Sequence, residues 1–239
     1  MKSFAAPTTI LAILASLWVA AFFSFRSNEL TIFPSDVYEV YALTDRDLGG
    51  FSVCDLKQTD SVITADVNIH SGMAYPYAGI GFNLMSVNKR PSADFFDFSR
   101  FDSIEVLVET GRMRNVTTRM LNNDPVYSKD NLYASYRPLQ KSTAVGKGVV
   151  ALSLQDLNVP DRWFADRGLD KDDGMKYLQR GVMLEVSSGE GTMLGIPDEI
   201  KLRGVRLWGE NHSFVTVMYV VLGLMLLLWI ASLIWIRRR

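Results

Sequence analysis

The feature that most limits how this chain can fold is an uncharged apolar run from Phe214 to Ile236. As a helix that rises about 1.5 Å per residue, the run is long enough to cross a hydrocarbon core of roughly 30 Å. Three arginines follow it, Arg237, Arg238 and Arg239. Because short basic clusters beside a span stay on the cytoplasmic side, the sequence predicts a transmembrane helix over 214–236 and a cytoplasmic basic end over 237–239.

A second apolar run covers residues 4–25, directly after Lys2. A cleaved signal peptide is the alternative, but this run is longer than the usual signal-peptide core of about 7–15 residues. No small-x-small cleavage motif follows it, so we expect an uncleaved anchor helix. Ala12, Ser16 and Ala20 recur every four residues in this run. Such small-residue stripes let transmembrane helices approach closely, so they predict helix packing or a homodimer, although alanine is also common in anchor helices.

The two predicted spans place both termini in the cytoplasm and residues 27–212 outside it. Between Arg26 and Ser213 the chain has 21 Lys and Arg against 26 Asp and Glu, a net charge of −5. This acidic balance argues against a nucleic-acid partner, which needs a basic face. Cys54 is the only cysteine, so an intramolecular disulfide is impossible. We therefore expect a bacterial inner-membrane protein whose main domain is periplasmic and is stabilised by its own core.

Residues 27–212 show the period-two alternation that is typical of β-strands. In the segment SVITADVNIH, Ile63, Ala65, Val67 and Ile69 form the set expected to be buried. Comparable segments recur along the domain, while only residues 161–178 suggest short helical turns or a loop. The predicted strands are 37–41, 61–70, 77–85, 103–110, 116–121, 132–139, 148–154, 181–186 and 199–208. This pattern predicts a mainly β fold, a sandwich or jelly roll, flanked by the two transmembrane α-helices.

Four segments carry a resemblance to a known group of domains. The run DFSRFDSIEV over 97–106 is similar to a strand motif of galactose-binding-like jelly rolls, a group that includes carbohydrate-binding modules and complex I intermediate-associated proteins. YAGIGF over 77–82, VVALSLQDL over 149–157 and IPDEIKL over 196–202 resemble neighbouring strands of the same group. The resemblance implies a galactose-binding-like jelly roll over the domain. It also implies a layout found in bacterial sensors, with the domain between two spans, whose signal passes to an attached cytoplasmic output domain or to a separate partner.

The chain has few candidate residues for enzyme catalysis. His70 and His212 are the only histidines and Cys54 is the only thiol, so nucleophilic triads have few candidates. A carboxylate pair acting on polysaccharide stays an open alternative, because 26 acids are present. We expect no catalytic residue and no cofactor. The segment Asp170-Lys-Asp172-Asp173 resembles an incomplete calcium loop, and the jelly-roll resemblance is compatible with a structural calcium there.

Residues suited to binding a sugar are more numerous. Sugar rings stack on aromatic side chains, while Asn and Arg satisfy their hydroxyls. Around 119–137 the alternation places Thr117 and Arg119 on one polar strand face. The alternative is that the tyrosines pack in the core and the polar face meets only water. The predicted ligand-binding residues are Tyr77, Arg119, Asn122, Tyr133, Tyr136 and Arg137.

These observations favour an inner-membrane protein with two spans and a periplasmic ligand-binding sensor module. A carbohydrate or related polar molecule is the expected ligand, and signal transduction across the membrane is the expected role. The first alternative is a structural or assembly protein that binds another envelope protein through the jelly roll. An enzyme that acts on polysaccharide is the second alternative.

Overall fold

The computed structural model describes residues 5–92, 94–129, 132–146, 148–169 and 174–237, and within these ranges it describes the side chains of residues 13–231 and 234. Helices α1, α2 and α3 cover Ala5–Phe25, Asp161–Ala165 and His212–Arg237. The strands are Ser27–Phe33 (β1), Tyr38–Thr44 (β2), Val53–Gln58 (β3), Ile63–Asn68 (β4), Ala78–Val87 (β5), Arg90–Pro91 (β6), Ser103–Thr110 (β7), Asn115–Asn122 (β8), Arg137–Ala144 (β9), Val149–Ser153 (β10), Gly181–Ser188 (β11) and Pro197–Glu210 (β12).

The strands form two antiparallel sheets of a jelly-roll β-sandwich. Sheet A has the order β10-β7-β12-β4-β3, and β1 also pairs with β12. Sheet B has the order β2-β5-β11-β8-β9, with the short β6 on the edge of β5. The chain crosses repeatedly from one sheet to the other, so strands that are distant in sequence become neighbours. The mainly β sandwich predicted from the alternation is therefore confirmed.

The core lies between the two sheets and follows the predicted alternation. In β4 and just after it, Ile63, Ala65, Val67 and Ile69 are each 2% exposed or less. Burying an aliphatic side chain of this kind contributes roughly 1.5–3 kcal/mol, so this alternation fixes which face of each strand turns inward. The opposite face of each sheet is then free to carry polar side chains.

One strand was predicted at the wrong residues, and three strands of the structure were not predicted. A strand was predicted over 132–139, but β9 runs from Arg137 to Ala144. The reason is local, since Tyr133–Ser135 forms a 3-10 turn in which the Ser135 hydroxyl donates to the Leu132 carbonyl oxygen at 2.7 Å. Strands β1, β3 and β6 had no predicted counterpart. The helical turn expected within 161–178 is present as α2.

The described chain divides into two compact units, the sandwich over Glu29–Trp208 and the terminal segments up to Asn28 and from Gly209. In the second unit, α1 and α3 contact each other through aromatic side chains. The Trp18 indole N–H donates to the Met218 carbonyl oxygen at 3.0 Å, and the ring centroids of Phe22 and Tyr219 are 6.1 Å apart. Ser16 and Ala20 are exposed on α1, and the side chain of Ala12 lies outside the described part. The packing role predicted for that stripe stays a prediction.

Among the described residues, one helical segment is long and apolar enough to cross a membrane. It is His212–Ala231 in α3, with a mean hydropathy of 2.5. The apolar part of α1 with described side chains, Ile13–Phe25, is shorter than a span. A second transmembrane helix is therefore not confirmed and stays a prediction. Of the basic end, Arg238 and Arg239 lie outside the described residues, and Arg237 is the last residue of α3.

Candidate functional site

The outer face of sheet B, which points away from the core, carries a polar row across all five main strands. Backbone pairing aligns Tyr41 with Gly81, Gly81 with Glu185, Glu185 with Arg119, and Arg119 with Gln140. On this face, side chains of directly opposed residues lie close enough to interact. A carboxylate, a guanidinium, a phenol and an amide therefore meet in one line, although they come from positions 41 to 185 of the sequence.

Gly81 allows the Tyr41 side chain to reach Glu185 across β5. A Cβ atom at position 81 would lie 2.2 Å from Cζ of the Tyr41 ring. Without that atom the ring lies across the backbone of β5, and the Tyr41 hydroxyl donates to Oε1 of Glu185 at 2.8 Å. Glycine at position 81 is therefore explained by a side chain that passes over it.

Two further tyrosines join the row from neighbouring segments. The Tyr133 hydroxyl lies 2.9 Å from Oε1 and 3.1 Å from Oε2 of Glu185, and it donates to this carboxylate. The Tyr77 hydroxyl donates to that of Tyr133 at 3.5 Å, and the Arg119 guanidinium lies 4.6 Å from the centroid of the Tyr77 ring. We call Tyr41, Tyr77, Arg119, Tyr133, Gln140 and Glu185 the Glu185 cluster.

Arg119 connects the members of this cluster. Its Nη1 donates to Oε2 of Glu185 and to the Tyr133 hydroxyl, both at 3.3 Å. Its Nε donates to Oε1 of Gln140 at 2.9 Å. The side chain of Glu185 is fully enclosed, whereas 14% of the Arg119 side chain is accessible. Within this pair, solvent therefore reaches part of the Arg119 side chain and does not reach the carboxylate.

Burial controls the electrostatics of this cluster. Burial raises the pKa of the Glu185 carboxyl above its ordinary value, although Arg119 and the hydroxyls of Tyr41 and Tyr133 act in the opposite direction. Burial and the nearby carboxylate both raise the pKa of Tyr41 and Tyr133, so these phenols stay protonated and donate hydrogen bonds. Burial alone would lower the pKa of Arg119, but Glu185 and the tyrosines raise it overall, so the guanidinium stays charged.

A second buried ion pair lies where β8 ends and β9 begins. Nε of Arg137 donates to Oδ2 of Asp124 at 2.8 Å, and Nη1 donates to the Met175 carbonyl oxygen at 2.8 Å. The guanidinium also lies 4.6 Å from the Trp163 ring centroid and 5.2 Å from that of Tyr177. We call Asp124, Arg137, Trp163 and Tyr177 the Arg137 clasp. It attaches α2 and the segment around residue 175 to the edge of sheet B.

The structure separates the predicted ligand-binding residues into two groups. Tyr77, Arg119 and Tyr133 come together in the Glu185 cluster. Arg137 and Asn122 have no exposed surface, and Tyr136 is 6% exposed. Nδ2 of Asn122 donates to the Lys176 carbonyl oxygen at 2.9 Å, and the Trp163 indole donates to the Tyr136 carbonyl oxygen at 2.9 Å. Ligand contact by these residues stays a prediction for all six.

Sequence reasoning missed three members of the cluster: Tyr41, Gln140 and Glu185. A signal for Glu185 does exist in the sequence. It alternates with Leu184 and Val186, both buried in the core, so it lies on the outer face of a strand that is otherwise apolar or small. The calcium candidates Asp170, Asp172 and Asp173 lie outside the described residues. Within the described residues, no group of three or more His, Cys, Asp or Glu side chains is arranged to hold a metal ion.

Comparison with known proteins gives similar folds only. No protein-family model and no curated protein sequence matches the chain. Among solved structures, the chain is similar to a family 11 carbohydrate-binding module from Clostridium thermocellum in complex with a β-1,3-1,4-mixed-linked tetrasaccharide. That similarity has 10% identity and a TM-score of 0.46, and covers 77% of this chain and 96% of that module.

Two further solved structures have lower TM-scores. The low-affinity xylan-binding module CBM86 from Roseburia intestinalis shows 8% identity and a TM-score of 0.38, with 78% of this chain and 97% of that one covered. A family 30 carbohydrate-binding module shows 11% identity and a TM-score of 0.37, with coverage of 77% and 99%. All three modules belong to the group of jelly rolls that the sequence motifs resemble. At these identities the similarity concerns the fold alone.

Proposed function

We propose that the sandwich is a non-catalytic binding module for a carbohydrate, and that the ligand binds on the outer face of sheet B at the Glu185 cluster. One observation carries the proposal, a buried charged pair on a sheet face that the core does not need. Replacing such a pair by apolar residues often leaves stability unchanged or improves it. Polar groups that cost stability are typical of functional sites, and a carboxyl group with a perturbed pKa is a further sign of one.

The chemistry of the cluster suits a sugar. Hydroxyl groups of a sugar can donate to the half-buried Gln140 amide oxygen and can accept from Arg119, whose side chain is 14% accessible. Tyr133, which is half-buried, provides a phenol ring beside these groups, and sugar rings pack against such surfaces. The existing bonds hold Arg119 in place before any ligand arrives, which reduces the entropy lost on binding.

The experiment is calorimetric titration of the full chain in nanodiscs. The panel consists of neutral oligosaccharides and includes mixed-linked β-glucan and xylan fragments. We expect saturable binding that Arg119→Lys weakens at least tenfold, because lysine keeps the charge but loses the planar donor fork. Tyr133→Phe should weaken binding as well. The matched controls are Arg206→Lys and Tyr127→Phe, which lie outside the cluster.

Three outcomes count against this proposal. Binding that is unchanged in Arg119→Lys and Tyr133→Phe would place the ligand elsewhere. A full chain that binds no saccharide of the panel but copurifies with one envelope protein in a fixed ratio would support the assembly alternative instead. Turnover of an oligosaccharide during titration would contradict the non-catalytic part of the proposal.

We further propose that α3 anchors the module in a bacterial inner membrane, that α1 is a second span, and that the module is a periplasmic sensor. Topology can be tested with a membrane-impermeant thiol reagent. Burial raises the pKa of Cys54, the only native thiol, to about 11, so it stays protonated and poorly reactive near neutral pH. In a Cys54→Ser chain, a cysteine at the exposed position of Thr59 should react from outside spheroplasts. Reaction only after lysis would contradict the periplasmic location.

A further inference from the structure

A pocket lies at the end of the sandwich where β7 turns into β8 and β11 passes to β12. Its volume is about 270 Å³. Ligand pockets for drug-sized molecules run from about 300 to 1,000 Å³, so this one suits a single small ring. The residues that carry the argument below are Arg112, Arg114, Asn115, Glu190, Thr192 and Asp198. None of them belongs to the Glu185 cluster, and only the choice of a sugar as the ligand class rests on the function proposed above.

Two arginines line this pocket side by side. Arg112 and Arg114 flank Met113, which is buried and anchors the turn in the core. Both arginines are exposed, and their guanidinium groups have no hydrogen-bond or ion-pair partner among the residues that the structure describes. Two adjacent guanidinium groups without a partner among the described residues therefore line one pocket.

Asp198 also lines the pocket, and its carboxylate is bound to the backbone and not to either guanidinium. Asp198 accepts from the backbone N–H groups of Arg112 at 2.8 Å and Met113 at 2.7 Å, and also from its neighbour Glu199 at 2.8 Å. A Cβ at Gly111 would lie 2.3 Å from Oδ1 of Asp198, so glycine is required for this contact. Asp198 thus fixes the turn from which both arginines extend.

The opposite wall is fixed in the same way. Nδ2 of Asn115 donates to the Glu190 carbonyl oxygen at 2.9 Å, and the Gly189 N–H donates to the Asn115 carbonyl oxygen at 3.1 Å. The Thr192 hydroxyl donates to the Gly189 carbonyl oxygen at 2.7 Å. Both walls are therefore held by hydrogen bonds inside the protein, and the pocket is preorganised in the absence of a ligand.

We propose that this pocket binds the carboxylate-bearing ring of an acidic sugar. Guanidinium groups bind carboxylates through paired, charge-assisted N–H···O bonds, and two adjacent arginines can surround one carboxylate. The pocket volume limits the ligand to about one ring, and Met193 and Ile196 offer it an apolar wall. Two carboxylates of the lining oppose an anion here, the exposed Glu190 and the backbone-bound Asp198.

The test compares two ligands that differ only at C6, glucuronate and glucose, with the full chain in nanodiscs. Calorimetry should show saturable glucuronate binding that is at least tenfold tighter than glucose binding, equivalent to about 1.4 kcal/mol. The double variant Arg112→Gln/Arg114→Gln should weaken glucuronate binding at least tenfold. A double variant with the same charge change at exposed positions outside the pocket, Arg90→Gln/Arg206→Gln, should bind it as the wild type does. Glu190→Gln should bind it more tightly, because a repelling charge is removed.

Each contrary result overturns the proposal. These results are equal affinity for glucose and glucuronate, no saturable glucuronate binding at millimolar concentration, and wild-type affinity in Arg112→Gln/Arg114→Gln. Acetate that competes as well as glucuronate would overturn the sugar part. The variant surfaces are exposed, so the thermal midpoint should not change, and circular dichroism checks this. Failure here is separable from failure of the function proposed above, because Arg119→Lys must leave glucuronate binding unchanged while Arg112→Gln/Arg114→Gln must leave neutral oligosaccharide binding unchanged.

Discussion

The two buried ion pairs of sheet B use the same chemistry in different surroundings. In the Glu185 cluster the other partners of the carboxylate are tyrosine hydroxyls, and 14% of the Arg119 side chain is accessible. In the Arg137 clasp the guanidinium contacts aromatic rings and a backbone carbonyl oxygen besides its carboxylate. The side chains of Arg137 and Asp124 are 0% and 1% exposed. Hydroxyl groups on a partly open face can be supplemented by those of a ligand, whereas a closed aromatic box leaves no access.

This difference assigns different roles to the two arginines. Arg137 joins α2 and the segment around Met175 to the sheet edge, so its loss should mainly affect folding. Arg119 organises a polar face outside the core, so Arg119→Lys, which keeps a cation beside Glu185, should affect recognition more than folding. Variants of the two sites should therefore differ in their free energy of unfolding, and the largest loss is expected in the Arg137 clasp.

Arg137→Met should cause the largest loss of stability, about 3–5 kcal/mol, because it leaves the buried Asp124 carboxylate without its cation. Urea unfolding of the full chain in detergent, followed by tryptophan fluorescence, measures this loss. Asp124→Asn together with Arg137→Met should recover part of it, since no unpaired charge then remains buried. Arg206→Gln, on the exposed surface, should stay within about 0.5 kcal/mol of the wild type. A loss in Arg137→Met as small as that control would remove the distinction between clasp and cluster.

Tyr133→Phe should have the next largest effect, about 1.5–3 kcal/mol, because it removes a hydroxyl that donates to the buried Glu185 carboxylate. The same unfolding measurement applies, and the matched control is Tyr127→Phe, whose ring packs edge-on against Trp163 at 5.7 Å. The hydroxyl of Tyr127 has no hydrogen-bond partner among the described residues, so this control should stay near the wild type. If Tyr133→Phe and Tyr127→Phe have the same free energy of unfolding, the phenols of the cluster do not stabilise its carboxylate.

The sandwich was predictable from sequence because its core depends on alternation, which is local. Ile104, Val106 and Val108 are at most 1% exposed, as the pattern of β7 requires. Arg119 was predictable for the same reason, since it alternates with buried neighbours in β8. The partners of Arg119 were not, because Tyr41, Tyr133 and Glu185 meet through the order of strands in sheet B, and strand order depends on long-range pairing.

The two roles of arginine could not be separated from sequence either. Arg119 and Arg137 both lie in the polar segment 119–137, and both were predicted to bind a ligand. What separates them is the position of α2, whose Trp163 covers Arg137. A helix of five residues has no periodic signal of its own, so the enclosure of Arg137 depends on tertiary contacts that a single sequence does not reveal.

Gly81→Ala should have a smaller effect than Tyr133→Phe. The new methyl group would collide with the Tyr41 ring and move its hydroxyl away from Glu185, and overpacking of this kind costs about 1–3 kcal/mol. Alanine also restricts the unfolded chain, which returns about 0.4–1 kcal/mol. Gly146→Ala is the matched control, because a Cβ there has no atom within 4 Å. Equal unfolding free energies for the two variants would show that the row does not depend on the close approach at position 81.

The smallest expected effect is a dependence on pH that only the Glu185 cluster should show. Burial raises the pKa of Glu185 in the folded protein above its ordinary value of 4.5. In the window between these two pKa values, the folded state holds a proton that the unfolded state has released, so the free energy of unfolding falls as the pH rises through it. Glu185→Gln has no such proton, and its amide still accepts from the surrounding donors.

The unfolding free energy of the wild type minus that of Glu185→Gln should therefore decline as the pH rises above 4.5, and should level off above the folded-state pKa. Paired urea titrations between acidic and neutral pH measure this difference, and other titrating groups cancel in the subtraction. A difference that instead increases with pH would mean that Arg119 and the tyrosine hydroxyls outweigh burial and lower the pKa of Glu185. The carboxylate would then be stabilised as fully as a structural pair, and the Glu185 cluster would resemble the Arg137 clasp in energetics as well as in composition.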